Sequence, residues 1–423
     1  MRFAYGLVTY LLMPVYAAYW FTRGLGNRSY RDRFGQRFGF GYPLMTGGSI
    51  WIHAVSVGEV QAAVPLIKAL LRQFPDRRLL VTTVTPTGAA RVDALFGDSV
   101  QHCYLPFETP FAVTRFFNFV QPAIALILET EIWPNLYHEC GQRDIPLILV
   151  SARISPNSVV TYRRFLPLFR ETLSYGIVIA AQSETDAERF RSLGAAPERT
   201  KVTGNIKFDI ELPEDLVERG DAFRRDNFVG RPVWVAASTH DREEEQVLDA
   251  HEQVREKFPD ALLVLAPLHP ERFPAVRSLL NRLGLNLVAR TDGAPCTPDT
   301  EVYLGDTMGD VPLFYAAGNV AFVGGSLVPI GGHNLLEPAA LGLPVVTGPH
   351  LFHTQDIADM FDKVGASIAV NDASELGAAV IDLFADEASA TEIGKRGLDI
   401  VQQNRGALDR LLKLLEPLLS NVR

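Results

Sequence analysis

From residue 49 onward the chain alternates between short, unbroken apolar runs and stretches with helical spacing, and that alternation limits the fold more than anything else in it. SIWIHAVSV (49–57), LLVTTVT (79–85), AIALILE (123–129), PLILVSA (146–152), YGIVIAAQS (175–183) and KVTGN (201–205) form one series. Between the first two, EVQAAVPLIKALLRQF (59–74) places Val60, Val64, Leu66, Ile67, Leu70 and Leu71 along one side, as a helix lying on a sheet requires. Strands apolar on both faces belong to parallel sheets covered by helices on either side. A second series follows: VWVAAS (233–238), ALLVLAP (261–267), NLVAR (286–290), VYLG (302–305), VAFVGGS (320–326) and PVVTG (344–348). The fold class is therefore α/β, with two doubly wound, Rossmann-like domains.

A chain of 423 residues exceeds an ordinary single core. The most polar break, IELPEDLVERGDAFRRDNFVG (210–230), separates the two series. The expected division is an N-terminal helix at 1–24, a first domain at 25–215 and a second at 216–423, with the last helix free to pack back on the first domain.

In open parallel sheets ligands gather outside the carboxyl ends of the strands, and unusual residues are concentrated there. VAFVGGSLVPIGGHNLLEPAALGLPVVTGP (320–349) carries Gly324 and Gly325, then Gly331 and Gly332 ahead of His333 and Asn334, with a helix expected to begin near Leu335, Leu336, Glu337 and Pro338. Glycines allow close backbone approach to a ligand, and helix N-terminal N–H groups favour a phosphate. Glu337 is placed to accept from a ribose hydroxyl pair. The plain alternative is a capping box, since Asn334-x-x-Glu337 has that spacing. No Walker A or G-x-G-x-x-G pattern occurs, nor an Asp-x-Asp pair, and His350 and His353 read as loop residues, so a nucleotide held without a metal is expected. A net charge of −9 argues against a nucleic-acid partner. Three cysteines without C-x-x-C spacing argue against a disulfide framework or zinc site.

The N-terminus departs from the rest. Residues 3–22, FAYGLVTYLLMPVYAAYWFT, hold no charge between Arg2 and Arg23, which is just long enough for a bilayer span. Behind it, residues 22–40 carry five Arg against one Asp, suited to anionic headgroups. A membrane-anchor helix is expected at the inner (cytoplasmic) membrane, with the catalytic domains on the cytoplasmic side by the positive-inside rule. Spanning and interfacial placement both stay open, because Gly6 and Pro14 disturb a straight helix.

The stretch WIHAVSVGEVQA (51–62) puts an acid, Glu59, directly after the first strand. Ser56-x-x-Glu59 fits a capping box; a carboxylate at a strand-to-helix corner is equally placed to take a proton from a substrate. Helix dipole and cap would lower its pKa and burial would raise it.

HAVSVGEVQAAVPL, TVTPTGAARV, LETEIWPN, SARIS, VTGNIKFD, HPERFP, GDTMGD, FVGGSLVPIGGHNLLEPAA and GPH, in this order over nearly the whole chain, resemble the 3-deoxy-D-manno-octulosonic acid (Kdo) transferases of lipid A assembly. The resemblance implies a GT-B fold, two Rossmann-like domains with parallel sheets facing a central cleft. It implies a CMP-Kdo donor in the C-terminal half and a lipid A precursor (lipid IVA) as acceptor in the N-terminal half. The chemistry implied is inverting, metal-independent and without cofactor. By the same resemblance Glu59 matches the general base, and Glu129 and Lys207 match transition-state-stabilising residues, with Glu131 a near neighbour. Pro267, Leu268, Met308, Gly309, Asp310, Asn334, Leu335, Leu336 and Glu337 match the nucleotide site, with Gly325, Gly332 and His333 as further candidates. One departure stands out: the family's Pro-Arg-His is Pro267-Leu268-His269 here, leaving His269 or Arg272 to supply the missing cation. Arg153 and the Ser238-Thr239-His240 turn are strand-end residues equally suited to structural roles.

Overall fold

The apolar runs become parallel strands. In the computed structural model, which describes residues 1–45, 48–228 and 230–420, the first series forms β1 (Ser49–His53), β2 (Leu79–Thr83), β3 (Gln101–Tyr104), β4 (Pro122–Leu128), β5 (Leu147–Ala152), β6 (Val178–Ala181) and β7 (Thr200–Val202). The second forms β8 (Val233–Thr239), β9 (Leu262–Pro267), β10 (Leu287–Ala289), β11 (Val302–Leu304), β12 (Val320–Val323), β13 (Val345–Thr347) and β14 (Ser367–Ala369). Among the described residues they make two seven-stranded sheets, ordered β3-β2-β1-β4-β5-β6-β7 and β10-β11-β9-β8-β12-β13-β14. The central strands are buried on both faces, with Trp51 and Trp234 wholly enclosed, which is why their sequences show no polar alternation. Edge strands β3 and β14 lack that signature: their runs are short and partly exposed, and the sequence does not mark them as strands.

The chain divides into two units, Met1–Asp209 with the segment from Asn404 on, and Ile210–Gln403. The boundary expected at 215/216 thus lies at Asp209/Ile210, and the second unit ends at Gln403, not at 423. The last helix, Ala407–Ser420, buries Leu408, Leu411, Leu415 and Leu419 against the first sheet's helical layer. The Asp209 carboxylate accepts from the Gly406 and Leu408 N–H groups at 2.6 and 2.7 Å, fixing the helix start.

The N-terminal helix runs Arg2–Gly26, through Pro14, and belongs to the first unit rather than standing apart as a segment 1–24. One face packs on that unit: the Tyr5 hydroxyl bonds the buried Glu108, Gly6 rests on Pro110, and Tyr16 stacks on Phe107. Trp20 covers the Arg37 guanidinium, 3.8 Å from the ring centroid. No helix among the described residues is long and apolar enough to cross a membrane, so the spanning alternative is not met. The physical reason is the packed face, which spends Tyr, Thr and Gly residues on protein contacts. Arg37 also leaves the expected surface cluster, being fully buried; Arg23, Arg28, Arg31 and Arg33 remain exposed.

Candidate active site

Each sheet reverses its direction of winding once, between β1 and β4 in the first unit and between β8 and β12 in the second. Crevices at such points are where α/β sheets hold ligands.

At the first of these, Glu59 occupies the third position of the helix Val57–Gln73, just after β1, and Glu129 directly follows β4. The capping box is not formed among the described residues. Among the described residues the Ser56 hydroxyl makes no cap bond, while the Glu59 carboxylate turns back to accept from the Val55 N–H at 2.7 Å. That bond fixes one oxygen and so orients the other. Burial and then the negative charge of Glu129 push the Glu59 carboxyl up to about 8, against the lowering effects of the Val55 N–H and Lys207. Between cap and burial, burial wins.

Glu129 goes the other way. Burial works to raise its pKa, but Lys207 and Arg153 outweigh it and hold the carboxyl below its ordinary value. Lys207 Nζ lies 2.9 Å from one oxygen, and Arg153 Nε and Nη2 each lie 2.9 Å from the other. Glu129 adopts a left-handed φ of +58°, a conformation costing a non-glycine residue about 1–2 kcal/mol. The strand thereby ends abruptly and the carboxylate turns toward the two cations. Lys207 sits in the short turn Ile206–Phe208, whose flanking apolar side chains are buried and whose Lys207 N–H is held by Asn205 Oδ1 at 3.0 Å. Arg153 is positioned by the Thr130 hydroxyl, which donates to its carbonyl at 2.6 Å. Burial raises the Glu131 carboxyl; its main-chain oxygen accepts from Tyr137 at 2.8 Å. Glu59, Glu129 and Lys207 thus come together, and Arg153 joins them. Strand-end position was its signal in the sequence, but nothing there paired it with Glu129.

In the second unit Pro267 ends β9, and the Leu268 N–H bonds the Thr239 carbonyl at 3.2 Å. Arg272, one of the two residues expected to supply the missing cation, is bonded to Glu244 at 2.9 Å and Asp241 at 2.8 Å. His269 instead packs edge-on against His240. Met308 is exposed and Gly309 has φ +88°, while the Asp310 carboxylate accepts from Arg290 and Thr307 at 3.1 and 2.8 Å. This segment follows β11, separated from β12 by β9 and β8. Asn334 stands one residue ahead of the N-cap, Leu335: its Oδ1 accepts from the Leu336 N–H at 3.1 Å, and its amide donates to Glu337 at 3.1 Å. Leu335 and Leu336 are buried.

At the start of the glycine-rich loop, ahead of the helix start expected to favour a phosphate, three N–H groups face an acid of the protein itself. The fully buried Glu243 accepts from the N–H groups of Gly325, Ser326 and Leu327 at 2.7, 3.0 and 3.0 Å, and from that of His240 at 3.1 Å. The glycines are likewise required by internal packing. A Cβ on Gly325, which has φ +69°, would stand 2.9 Å from the His333 ring, and one on Gly332 would stand 2.7 Å from Leu351. The helix beginning at Leu336 spans only five residues, too short for a strong dipole. Glu243 escapes a reading of the sequence because it stands in the run Arg242-Glu243-Glu244-Glu245, which resembles any solvated helix start.

A family model described as 3-deoxy-D-manno-octulosonic-acid transferase (kdotransferase) matches residues 32–210. The chain is 40% identical over 423 residues to the 3-deoxy-D-manno-octulosonic acid transferase of Haemophilus influenzae, covering 99% of each. It is 36% identical to that of Bordetella pertussis, over 91% of this chain and 90% of the relative. Among solved structures, a glycosyltransferase from Rickettsia africae aligns with a TM-score of 0.50 at 15% identity, over 89% of this chain and 100% of that one, a likeness of fold alone.

Proposed function

Since the chain belongs to the 3-deoxy-D-manno-octulosonic acid (Kdo) transferase family, and so is a glycosyltransferase, we propose that it moves Kdo from CMP-Kdo to a sugar hydroxyl of lipid IVA, inverting the anomeric centre with Glu59 as general base. One observation carries the reading: two neighbouring acids whose environments drive their pKa values apart. Such a split assigns roles. Glu59, pushed up toward neutrality, is matched to accepting a proton at working pH. Glu129 stays ionised and holds two cations in place.

In the step itself the acceptor O–H bond breaks and its proton passes to Glu59. The freed oxygen bonds the anomeric carbon, and the carbon–oxygen bond to CMP breaks with its electron pair going to the phosphate. One displacement from the opposite face gives inversion. Glu129, Lys207 and Arg153 together carry one net positive charge, which favours the carboxylate of the Kdo unit near the reacting carbon.

The base role has a pH signature. Glu59 must be deprotonated to act, so kcat/KM with a detergent-dispersed acceptor is expected to rise with pH and level off above about 8. A wild-type profile flat from pH 6 to 9 would contradict it.

A glycolipid acceptor requires the enzyme at a membrane, and we place it at the cytoplasmic face of the inner membrane, lying in the interface. Phe3, Leu7, Leu11 and Val15, four residues apart along the N-terminal helix, are all exposed, with the four exposed arginines beyond it. An apolar stripe with flanking cations suits anionic interfaces. Burying each Leu is worth about 1.5–3 kcal/mol. The double variant Leu7→Glu/Leu11→Glu should therefore cosediment with vesicles containing phosphatidylglycerol about tenfold less well or worse, with CMP binding unchanged. Undiminished cosedimentation would remove the helix from the interface.

A further inference from the structure

The second switch point is lined by imidazole. His240, from the loop after β8, and His333, from the loop after β12, bring their Nε2 atoms to 2.7 Å, with ring centroids 5.0 Å apart and planes within 9°. His269, from the end of β9, lies edge-on to His240 at 5.6 Å. Three loops of the second sheet thus converge on one cluster, and Gly325 makes room for it. The other groups that would meet an anion there are already engaged: the N–H groups of Gly325, Ser326 and Leu327 hold Glu243, and Arg272 holds Glu244 and Asp241.

We propose that His240 and His333, with His269 beside them, are the side chains that receive the phosphate of the donor nucleotide. The assignment rests on the reading of a CMP-activated sugar as donor and adds to it the groups that bind its anionic part.

The chemistry follows from the contact. Two imidazole nitrogens at hydrogen-bond distance share one proton, one donating and one accepting. A phosphate oxygen placed between them accepts from both once the accepting ring also carries a proton on Nε2, and the negative charge of the phosphate favours taking that proton from solution over shifting it from Nδ1. The charged and titratable neighbours of His240 are His333, His269 and Arg272, with Glu243 bonded to its main chain; those of His333 are His240, His269 and His353. Burial and these cationic neighbours hold His240 below its ordinary value and His333 down to about 4. A bound phosphate brings the negative charge they lack and raises both, so binding takes up a proton and tightens as pH falls.

The test is calorimetric titration of the full chain with the methyl ester of CMP, a phosphodiester with no oxygen titrating near neutrality, and with cytidine as the uncharged control. Measurements at pH 6 and 8, each in buffers of different ionisation enthalpy, count the protons. The ester is expected to bind about tenfold more tightly at pH 6, with up to one proton taken up, and cytidine equally at both. His240→Gln should abolish the pH dependence. The exposed His269→Gln, which leaves the core intact, should weaken it and guards against misfolding at His240. Ester binding that is equally tight at both pH values without proton uptake, or unaltered in both variants, would overturn the proposal while leaving the donor intact. Failure of both cytidine and ester to bind at any pH would overturn the donor reading and this inference together.

Discussion

Glu59→Gln is expected to lower Kdo transfer by about 10²–10⁴-fold, the usual contribution of a positioned general base. The substitution keeps the size of the side chain and, through its amide oxygen, the bond to the Val55 N–H, so the helix Val57–Gln73 should begin as before. CMP binding should also survive, because the residues proposed to hold the nucleotide belong to the other unit. Stability gives an independent check. Burial raises the folded-state pKa of Glu59 above the ordinary carboxylate value of about 4.5. Its contribution to stability is therefore fully present below about 4.5 and is lost as pH rises toward about 8. The Gln variant should match wild type near pH 4 and exceed it above pH 8 by thermal unfolding. A variant that retains most of its turnover would reduce Glu59 to a helix-start residue.

Glu243→Ala should produce the largest structural effect. It strips an acceptor from four main-chain N–H groups, those of His240, Gly325, Ser326 and Leu327. Each orphaned buried donor costs about 1–3 kcal/mol. Water entering the space recovers part of this, so a loss of about 3–5 kcal/mol is expected, comparable with breaking a buried charged contact. The loop so loosened carries His333, Asn334 and Glu337, and CMP binding should fall with stability. Glu243→Gln, which can accept at only one of its two terminal positions, should lie between. Urea unfolding of the full chain followed by tryptophan fluorescence reads the effect, since Trp234 is buried in this unit. A Glu243→Ala protein as stable as wild type would show that the loop is held by other contacts.

The sequence made most of the fold legible because central parallel strands are apolar on both faces and are spelled as runs. It failed at β3 and β14, edge strands whose QHCY and SIA segments are short and partly exposed. The N-terminal helix was visible as an uncharged stretch, but its packed face was not: Tyr5, Tyr16 and Trp20 lie against Glu108, Phe107 and Arg37. At the candidate site, motif residues identified Glu59, Glu129 and Lys207 as a group. What no motif conveys is pairing. That Arg272 belongs to Glu244 and Asp241, that Arg153 belongs to Glu129, and that Glu243 fills the glycine-rich loop are facts of three-dimensional proximity. The four glycines read as space for a ligand, and each is also required by the protein's own side chains or main chain packed against it.

Transfer of Kdo from CMP-Kdo to lipid IVA by the purified protein can be followed by mass spectrometry of the acceptor. Its mass is expected to increase by one or more whole Kdo residues, with release of CMP in equal number. CMP release without any gain in acceptor mass, or an unaltered acceptor from a folded protein that binds CMP, would contradict it.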